Sequence, residues 1–324
     1  MILPSYQTDS LNKVSDDRPI VPAPGLPAER LRNISEAQRE RLSHIDFRLR
    51  FLGCVGRIDL VSRFGIKQAA ASRDIALYRE LAPRNLAFDR RSRRYRLTKT
   101  FHPLFEYPAR QVLTALAHGF GDDFVAPKPP HLPFESPAQL NTPHLDILAV
   151  LSRAIHQKKV VEMDYRSLSS GLTTRQIVPF VLVDNGLRGH VRGFDRMRSR
   201  FGDFVINRIS NPRIIEDSQI EEHEGKDNDI QWNRIVGLEI VPHPRLEHPE
   251  TIEQEYDMVD GRLRLNVRAA VAGYVLRHWN VDCTKDHSLE GPEYHLWLKN
   301  RQALYDVENL VIAPGYQVLE EGNP

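Results

Sequence analysis

The chain has 324 residues, enough for two or three domains, and its 41% hydrophobic content fits a packed globular protein rather than a disordered one. No run of eighteen apolar residues occurs and the first residues lack a basic-then-apolar pattern, so neither a membrane span nor a secretory leader is expected. The formal net charge of +1 conceals an asymmetry: residues 29–100 carry 18 Lys+Arg against 8 Asp+Glu, a balance of +10, whereas residues 221–324 carry 10 against 20, a balance of −10. A basic head on an acidic body suggests polyanion binding at one end, the plainer alternative being solvated charges clustered by chance.

In chain order, residues 1–28 read as a flexible tail, with Pro19, Pro22, Pro24, Gly25 and Pro27 and no apolar periodicity. Residues 29–118 form the basic domain. Ser35 with Gln38 three places on is a capping-box signature. It opens a helix over 35–52 with Leu42, Ile45, Leu49 and Leu52 on one face. A short helix over 58–64, a turn at Gly65 and a third helix from Lys67 to about Leu81 make a helix-turn-helix. On the third helix Ala71, Ile75, Tyr78 and Ala82 fall within an arc of about 60° and should face the core.

The opposite face of that helix gathers Gln68, Ala69, Ser72, Ala76 and Arg79, with Arg73 and Glu80 at its edge and Lys67 at its start. Gln and Arg can bond base edges, Ser and Arg can hold phosphates, and alanines permit close approach to the major groove. An ordinary surface helix would look similar, but the next segment favours DNA. Leu86 to Leu97 reads as a hairpin with Arg90, Arg91, Arg93 and Arg94 crowding its turn, a cationic wing beside the recognition helix. Double-stranded RNA fits less well, because its deep, narrow groove does not admit a helix.

Residues 119–143 read as a linker containing Pro127, Pro129, Pro130, Pro133, Pro137 and Pro143, which no helix interior would tolerate. Beyond it a helical pattern over 142–158 precedes strand-like runs at 160–165, 176–183, 190–194 and 204–209, which suggests a small β-barrel over 144–218. Residues 230–324 mix strands at 236–241, 263–267 and 294–298 with a helix over 269–279, a small α+β unit. Gly273, Tyr274, Leu276 and Trp279 on that helix read as a core or dimer face. Arg192 and Arg208 sit on strands otherwise rich in apolar residues. Such arginines must pair with a carboxylate such as Asp164, Asp195 or Asp203, point to solvent, or line an anion pocket with His190 and Ser167.

Four segments carry a family resemblance: Val160 to Ser167, Arg175 to Val183, Arg188 to Asp195 and Gly202 to Ile209. Their order and spacing resemble the WYL domain of bacterial regulators. With the winged helix before and the α+β unit after, the whole resembles the winged-helix WYL repressors (the BrxR/CapW group) of phage-defence islands such as BREX and CBASS. The resemblance implies an Sm-like, SH3-type β-barrel, a C-terminal WCX-like dimerisation domain, and a homodimeric repressor. Such a repressor would bind an inverted-repeat operator in double-stranded DNA and be released by a nucleotide or nucleic-acid effector. Matched motif by motif, it implies a ligand pocket at Tyr165, Ser167, His190, Arg192, Phe194 and Arg208, with Arg200 from the preceding loop. Two positions depart from the pattern: Gly189 stands where the naming Trp would be, and Gly202 where a basic or bulky residue often stands.

No phosphate-binding glycine loop, dinucleotide motif, nucleophile elbow or zinc-protease motif occurs, so no enzyme and no cofactor is expected. His223, His243, Glu247 and His248 match no metal-ligand spacing, and Cys54 and Cys283 stand alone, a usage that fits a reducing cytoplasm. The competing readings are a nucleic-acid-binding accessory protein without sequence preference and a nuclease using the acidic C-terminal region.

Overall fold

The computed structural model describes residues 31, 34–118 and 140–316, in two compact units divided between Leu145 and Asp146. The tail at 1–28 and most of the expected linker, 119–139, lie outside the described residues.

The first unit is built on helix α1 (Glu36–Phe47). Ser35 caps it by accepting from the Gln38 amide N–H at 3.3 Å. The other half of the expected capping box is absent: the Gln38 side chain turns away and donates to Asp74 at 3.0 Å. Nor is the helix α-helical to residue 52. Its last turn, Arg48–Leu52, widens to a π-turn and ends at Gly53 in the left-handed region (φ 80°), conformationally cheap only for glycine. Leu42, Ile45 and Leu49 are fully buried, as their spacing predicts.

A two-residue strand, β1 (Cys54–Val55), leads into α2 (Arg57–Phe64), the Gly65 turn (φ 63°) and α3 (Gln68–Leu81). Ala71, Ile75, Tyr78 and Ala82 are buried, so the core face of α3 is the predicted one. The hairpin is β2 (Leu86–Asp89) and β3 (Arg94–Leu97), in antiparallel register with Leu86 opposite Leu97 and Asp89 opposite Arg94. β1 adds to β3, making a three-stranded sheet in the order β1-β3-β2. Helix α4 (Ala109–His118) follows.

The second unit opens with α5 (Leu145–Gln157), then β4 (Val160–Ser167), β5 (Gly171–Asp184), β6 (Gly189–Asp195), β7 (Arg200–Val205) and β8 (Ile209–Ile215). These strands form an antiparallel sheet in the order β7-β6-β5-β4-β8, with bulges between Pro179 and Val181 and between Glu162 and Asp164. The expected closed barrel is not established, since the edge strands β7 and β8 do not pair with each other. The single strand expected at 204–209 is also corrected. β7 ends at Val205, a 3-10 turn spans Ile206–Arg208, and β8 begins at Ile209. No Gly or Pro marks that corner, so the apolar run through it reads as continuous.

The remainder contains α6 (Ile230–Asn233), β9 (Ile235–Pro242), α7 (Pro249–Glu255), β10 (Leu263–Arg268), α8 (Ala269–His278), β11 (Val281–Asp282) and β12 (Leu296–Leu298). Its sheet runs β10-β9-β12-β11, with β11 and β12 parallel. Leu238, Ile240, Ala272, Leu276, Leu298 and Leu304 are among its buried core. Gly273 lets the Glu308–Ile312 turn lie on α8: a Cβ there would sit 2.3 Å from the Asn309 carbonyl oxygen, while Asn309 accepts from the Gly273 N–H at 3.0 Å.

Candidate nucleic-acid interface and sensor site

Three carboxylates, Asp74 and Asp46 buried and Asp59 partly buried, position the exposed side chains of the first unit. Asp74 on α3 is 2% exposed and accepts from Arg41 (2.6 Å) and Gln38, which fixes α3 against α1. Asp59 on α2 accepts from the Gly56 N–H at 2.7 Å and pairs with Arg94 and with Arg48. Asp46 is fully buried and accepts from the hydroxyls of Tyr78 and Tyr107 and from the Leu104 N–H. Asn85 in turn donates to Tyr78 at 3.1 Å. Burial lifts the Asp46 carboxyl to about 6 against the hydrogen bonds that pull it down. Burial, then Arg63 and Arg48, lowers the nearby His44 to about 3, so its ring is neutral. Helix α3 is therefore anchored at two carboxylates on its inner side, Asp74 and, through Tyr78, Asp46.

Its outer side is open. Lys67, Gln68, Arg73 and Arg79 are exposed and Ser72 is half-exposed, and none has a hydrogen-bonding or ionic side-chain partner among the described residues. In the wing, Asp89 organises the turn by accepting from the Arg91 N–H (2.9 Å), the Ser92 hydroxyl (2.7 Å) and Arg96 (2.8 Å). The Ser92 hydroxyl, then Arg96, lowers the Asp89 carboxyl to about 2. Arg90, Arg91 and Arg93 project from this turn, exposed and with no ion-pair partner among the described residues, Arg93 in the left-handed region (φ 54°). Arg94 departs from the expected four-arginine tip. It opens β3, is half-buried, and is committed to Asp59. The sequence reading missed Asp59 and Asp74 as partners because each contact joins residues more than thirty positions apart.

In the second unit two of the expected pocket residues, Arg192 and Arg200, line one hollow, and the others are placed outside it. The Tyr165 ring is buried against Phe204 at 5.1 Å, and its oxygen accepts from the Val205 N–H. Ser167 closes a local turn, accepting from the Ser169 N–H at 3.2 Å. Phe194 is core, packed with Val160 and Val178 and edge-on to Phe201 at 5.2 Å. His190 is buried and lies against Tyr274 of α8 (5.0 Å). Burial lowers its pKa, and its Nδ1 has no hydrogen-bond partner among the described residues. Arg208 is half-buried with no ion-pair partner among those residues, and Arg200 is exposed.

Arg192 takes the carboxylate-paired alternative of the sequence reading while also lining a hollow. It is 4% exposed, binds Asp229 through two nitrogens (2.7 and 3.0 Å) and reaches Asp203 at 2.9 Å. Burial pulls its pKa down, but the bonds to Asp229 and Asp203 outweigh that and the net direction is up. Tyr274 donates to the other oxygen of Asp203 at 2.9 Å, and Asp229 caps α6 by accepting from the Trp232 N–H. The guanidinium thus ties β6 and β7 to α6 and α8. A hollow of about 220 Å³ beside it is lined by Arg192, Arg200, Asp203, Gln231, Glu308 and Asn309 among others, with carboxylates on its wall as well as guanidinium groups. Gly202 leaves it open, since a Cβ there would meet nothing within 4 Å. Tyr165, Ser167, His190, Phe194 and Arg208 do not line it.

A winged helix with an exposed cationic face, joined in sequence to a five-stranded WYL sheet, defines a class of DNA-binding regulators. Family models match accordingly: the BrxR transcriptional regulator winged helix-turn-helix domain at 37–117, the WYL domain at 146–214, and the BrxR transcriptional regulator C-terminal dimerization domain at 235–304. The DNA-binding transcriptional repressor CapW of Escherichia coli (strain KTE188) is 31% identical over 83% of this chain and 91% of its own. CapW of Pseudomonas aeruginosa is 33% identical over the same shares, and CapW of Stenotrophomonas maltophilia 32% over 76% and 84%. The chain belongs to this BrxR/CapW family of winged-helix WYL transcriptional regulators. Its domains and relatives are those of DNA-binding repressors, not of enzymes. Among solved structures, the proteasome accessory factor B/C of Arthrobacter aurescens overlaps at 16% identity and a TM-score of 0.24. This chain spans 46% of that one, and a likeness so low carries no argument. No helix among the described residues is long and apolar enough to cross a membrane.

Proposed function

We propose that this chain is a homodimeric, cytoplasmic repressor of a phage-defence operon. It binds an inverted-repeat operator and leaves it when a nucleotide or nucleic-acid effector occupies the WYL segment. The observation that carries the reading is the set of free cations on the first unit: Arg73 and Arg79 on α3, with Arg90, Arg91 and Arg93 on the wing, all exposed and unpaired among the described residues. Gln68, Arg73 and Arg79 read the major groove from α3, Ser72, Lys67 and the wing hold flanking phosphates, and Arg94 supports the wing from behind. A two-fold dimer through the C-terminal domain requires a palindromic operator.

Effector binding is supported by the buried His190 Nδ1 and by Arg208, neither with a partner among the described residues, and by the open hollow at Gly202. An Sm-like barrel over 160–215 is supported by the unbroken antiparallel order of its five strands. An effector can shift DNA affinity only through differential binding to the two states, and the Arg192 cluster, shared between the sheet and α8, is an element such a ligand would bias.

The test is binding of the full chain to DNA from upstream of its own gene against a scrambled duplex at near-physiological salt. A preference of about a thousandfold or more is expected for a specific regulator. Equal affinity for both would instead favour an accessory protein without sequence preference.

A further inference from the structure

A second hollow, of about 160 Å³, lies between α3 and the wing, lined by Arg57, Ser72, Ile75, Phe88, Arg93 and Tyr95. We propose that it seats one phosphodiester of the DNA backbone, gripped by Arg57 and Arg93, a contact that rests on the DNA-binding reading but adds a site to it. Three observations carry this. First, two guanidinium groups line one small hollow with no carboxylate among its lining residues, and neither has an ion-pair partner among the described residues. Two like charges beside one cavity make a place where a bound anion gains from both. Secondly, the Ser72 hydroxyl at the same hollow has no hydrogen-bond partner among the described residues, so a donor is ready for a phosphate oxygen. Thirdly, the hollow is apolar below: Ile75 is 2% exposed, and the Phe88 and Tyr95 rings stand 5.1 Å apart. Phe88 remains 52% exposed, an apolar ring left in water beside cations. A deoxyribose, with carbon faces flanking a charged phosphate, matches that division of chemistry. A free carboxylate or inorganic anion would leave Phe88 uncovered.

The hollow at β7 and α8 makes the contrast, since Asp203 and Glu308 line it with its two arginines and its wall carries both signs of charge.

Arg57 lies ahead of the recognition helix and was not singled out by sequence pattern, because one arginine at the start of a short helix has no local signature. A phosphate contact carries no sequence information, so its loss must weaken binding to every duplex alike. The experiment measures affinity of the full chain for its own upstream duplex and for a scrambled duplex, from about 50 to about 200 mM salt, a range over which phosphate contacts dominate the salt response. The variants are Arg57→Ala, Arg93→Asn (Asn tolerates the left-handed backbone) and Arg84→Ala, the last an exposed arginine outside the hollow. Arg57→Ala and Arg93→Asn should each lower the slope of log affinity against log salt on both duplexes, and the double variant should lower it by about 0.9 per protomer, the value for the one phosphate they share. Arg84→Ala should not. The proposal is overturned if the Arg57→Ala slope is unchanged, if its loss is confined to one duplex (base readout), or if Arg84→Ala does the same (diffuse charge). Equal parent affinity for the two duplexes would sink the sequence-specific reading alone, because the slope is also read on scrambled DNA.

Discussion

The wing and the WYL sheet use arginine in opposite ways. Arg90, Arg91 and Arg93 stand in water with no ion-pair partner among the described residues, whereas Arg175 and Arg192 are buried and each is bound to carboxylate: Arg175 to Asp195, Arg192 to Asp203 and Asp229. An exposed guanidinium is cheap to keep unpaired and is available to a polyanion. A buried one must be matched inside the fold, and once matched it contributes to structure rather than recognition. Arg94, one position from Arg93, falls on the structural side of that divide because it lies in β3 behind the turn, within reach of Asp59.

The largest effect should come from breaking the buried side of the comparison. Arg192→Leu leaves Asp229 and Asp203 facing each other without their cation and should cost about 3–5 kcal/mol. Urea unfolding followed by tryptophan fluorescence reads this directly, since Trp232, Trp279 and Trp297 all lie in the second unit. A loss below about 1 kcal/mol would mean the pair is dispensable, and Arg192 would return as a ligand contact. It follows that a lost effector response in an Arg192 variant says nothing about the effector until folding has been checked.

Asp46 gives a smaller effect that depends on pH. Its folded pKa, about 6, lies above its unfolded value near 3.8, so the folded state holds the proton more tightly. Its contribution is full below about pH 4 and is lost as pH rises through about 6. Asp46→Asn removes that gain. Relative to the variant, the parent's first unit should become more stable as pH falls from 7 to 4.5, by up to roughly 2 kcal/mol. Amide exchange in α3 at several pH values would measure the difference. His44 acts in the opposite sense, since its lowered pKa favours the fold above about 6.5 and costs stability as pH falls, which is why the comparison must be parent against variant. A difference that does not change with pH would refute the assignment.

The smallest effect separates neighbours. Arg94→Ala should cost about 1 kcal/mol of first-unit stability through loss of the half-exposed Asp59 pair. Arg93→Asn should leave stability unchanged and weaken DNA binding. The reverse pattern would mean the turn, not the strand, supports the wing.

Much of this was legible in sequence where the signal is local. The 3.6-residue spacing of Ala71, Ile75 and Tyr78 gave the inner face of α3, and Gly65 and the arginine-rich turn gave the turn and the wing. What escaped was non-local. β1 is two residues long and exists only because β3 lies beside it. Asp229 meets Arg192 across 37 positions, although as an Asp ahead of Ile230 its capping role was readable. The helix carrying Gly273, Tyr274, Leu276 and Trp279 was read as core or dimer face. Leu276 is core, Gly273 admits Asn309 and Tyr274 serves Asp203, while Trp279, 51% exposed, is compatible with the dimer-face alternative. The pocket motif transferred as sequence, yet its residues divide among core, turn and ion pair, because alternation along a strand gives a face and not a partner.

The most direct test of the central claim is to bind the parent chain and a Gln68→Ala/Arg73→Ala variant, both residues outside the phosphate hollow, to the upstream duplex and to the scrambled one. The account predicts that the variant loses most of the parent's preference, about tenfold or more for each base contact removed, while its affinity for scrambled DNA changes little. An unchanged preference would contradict it, because the exposed face of α3 would then not be what reads the operator.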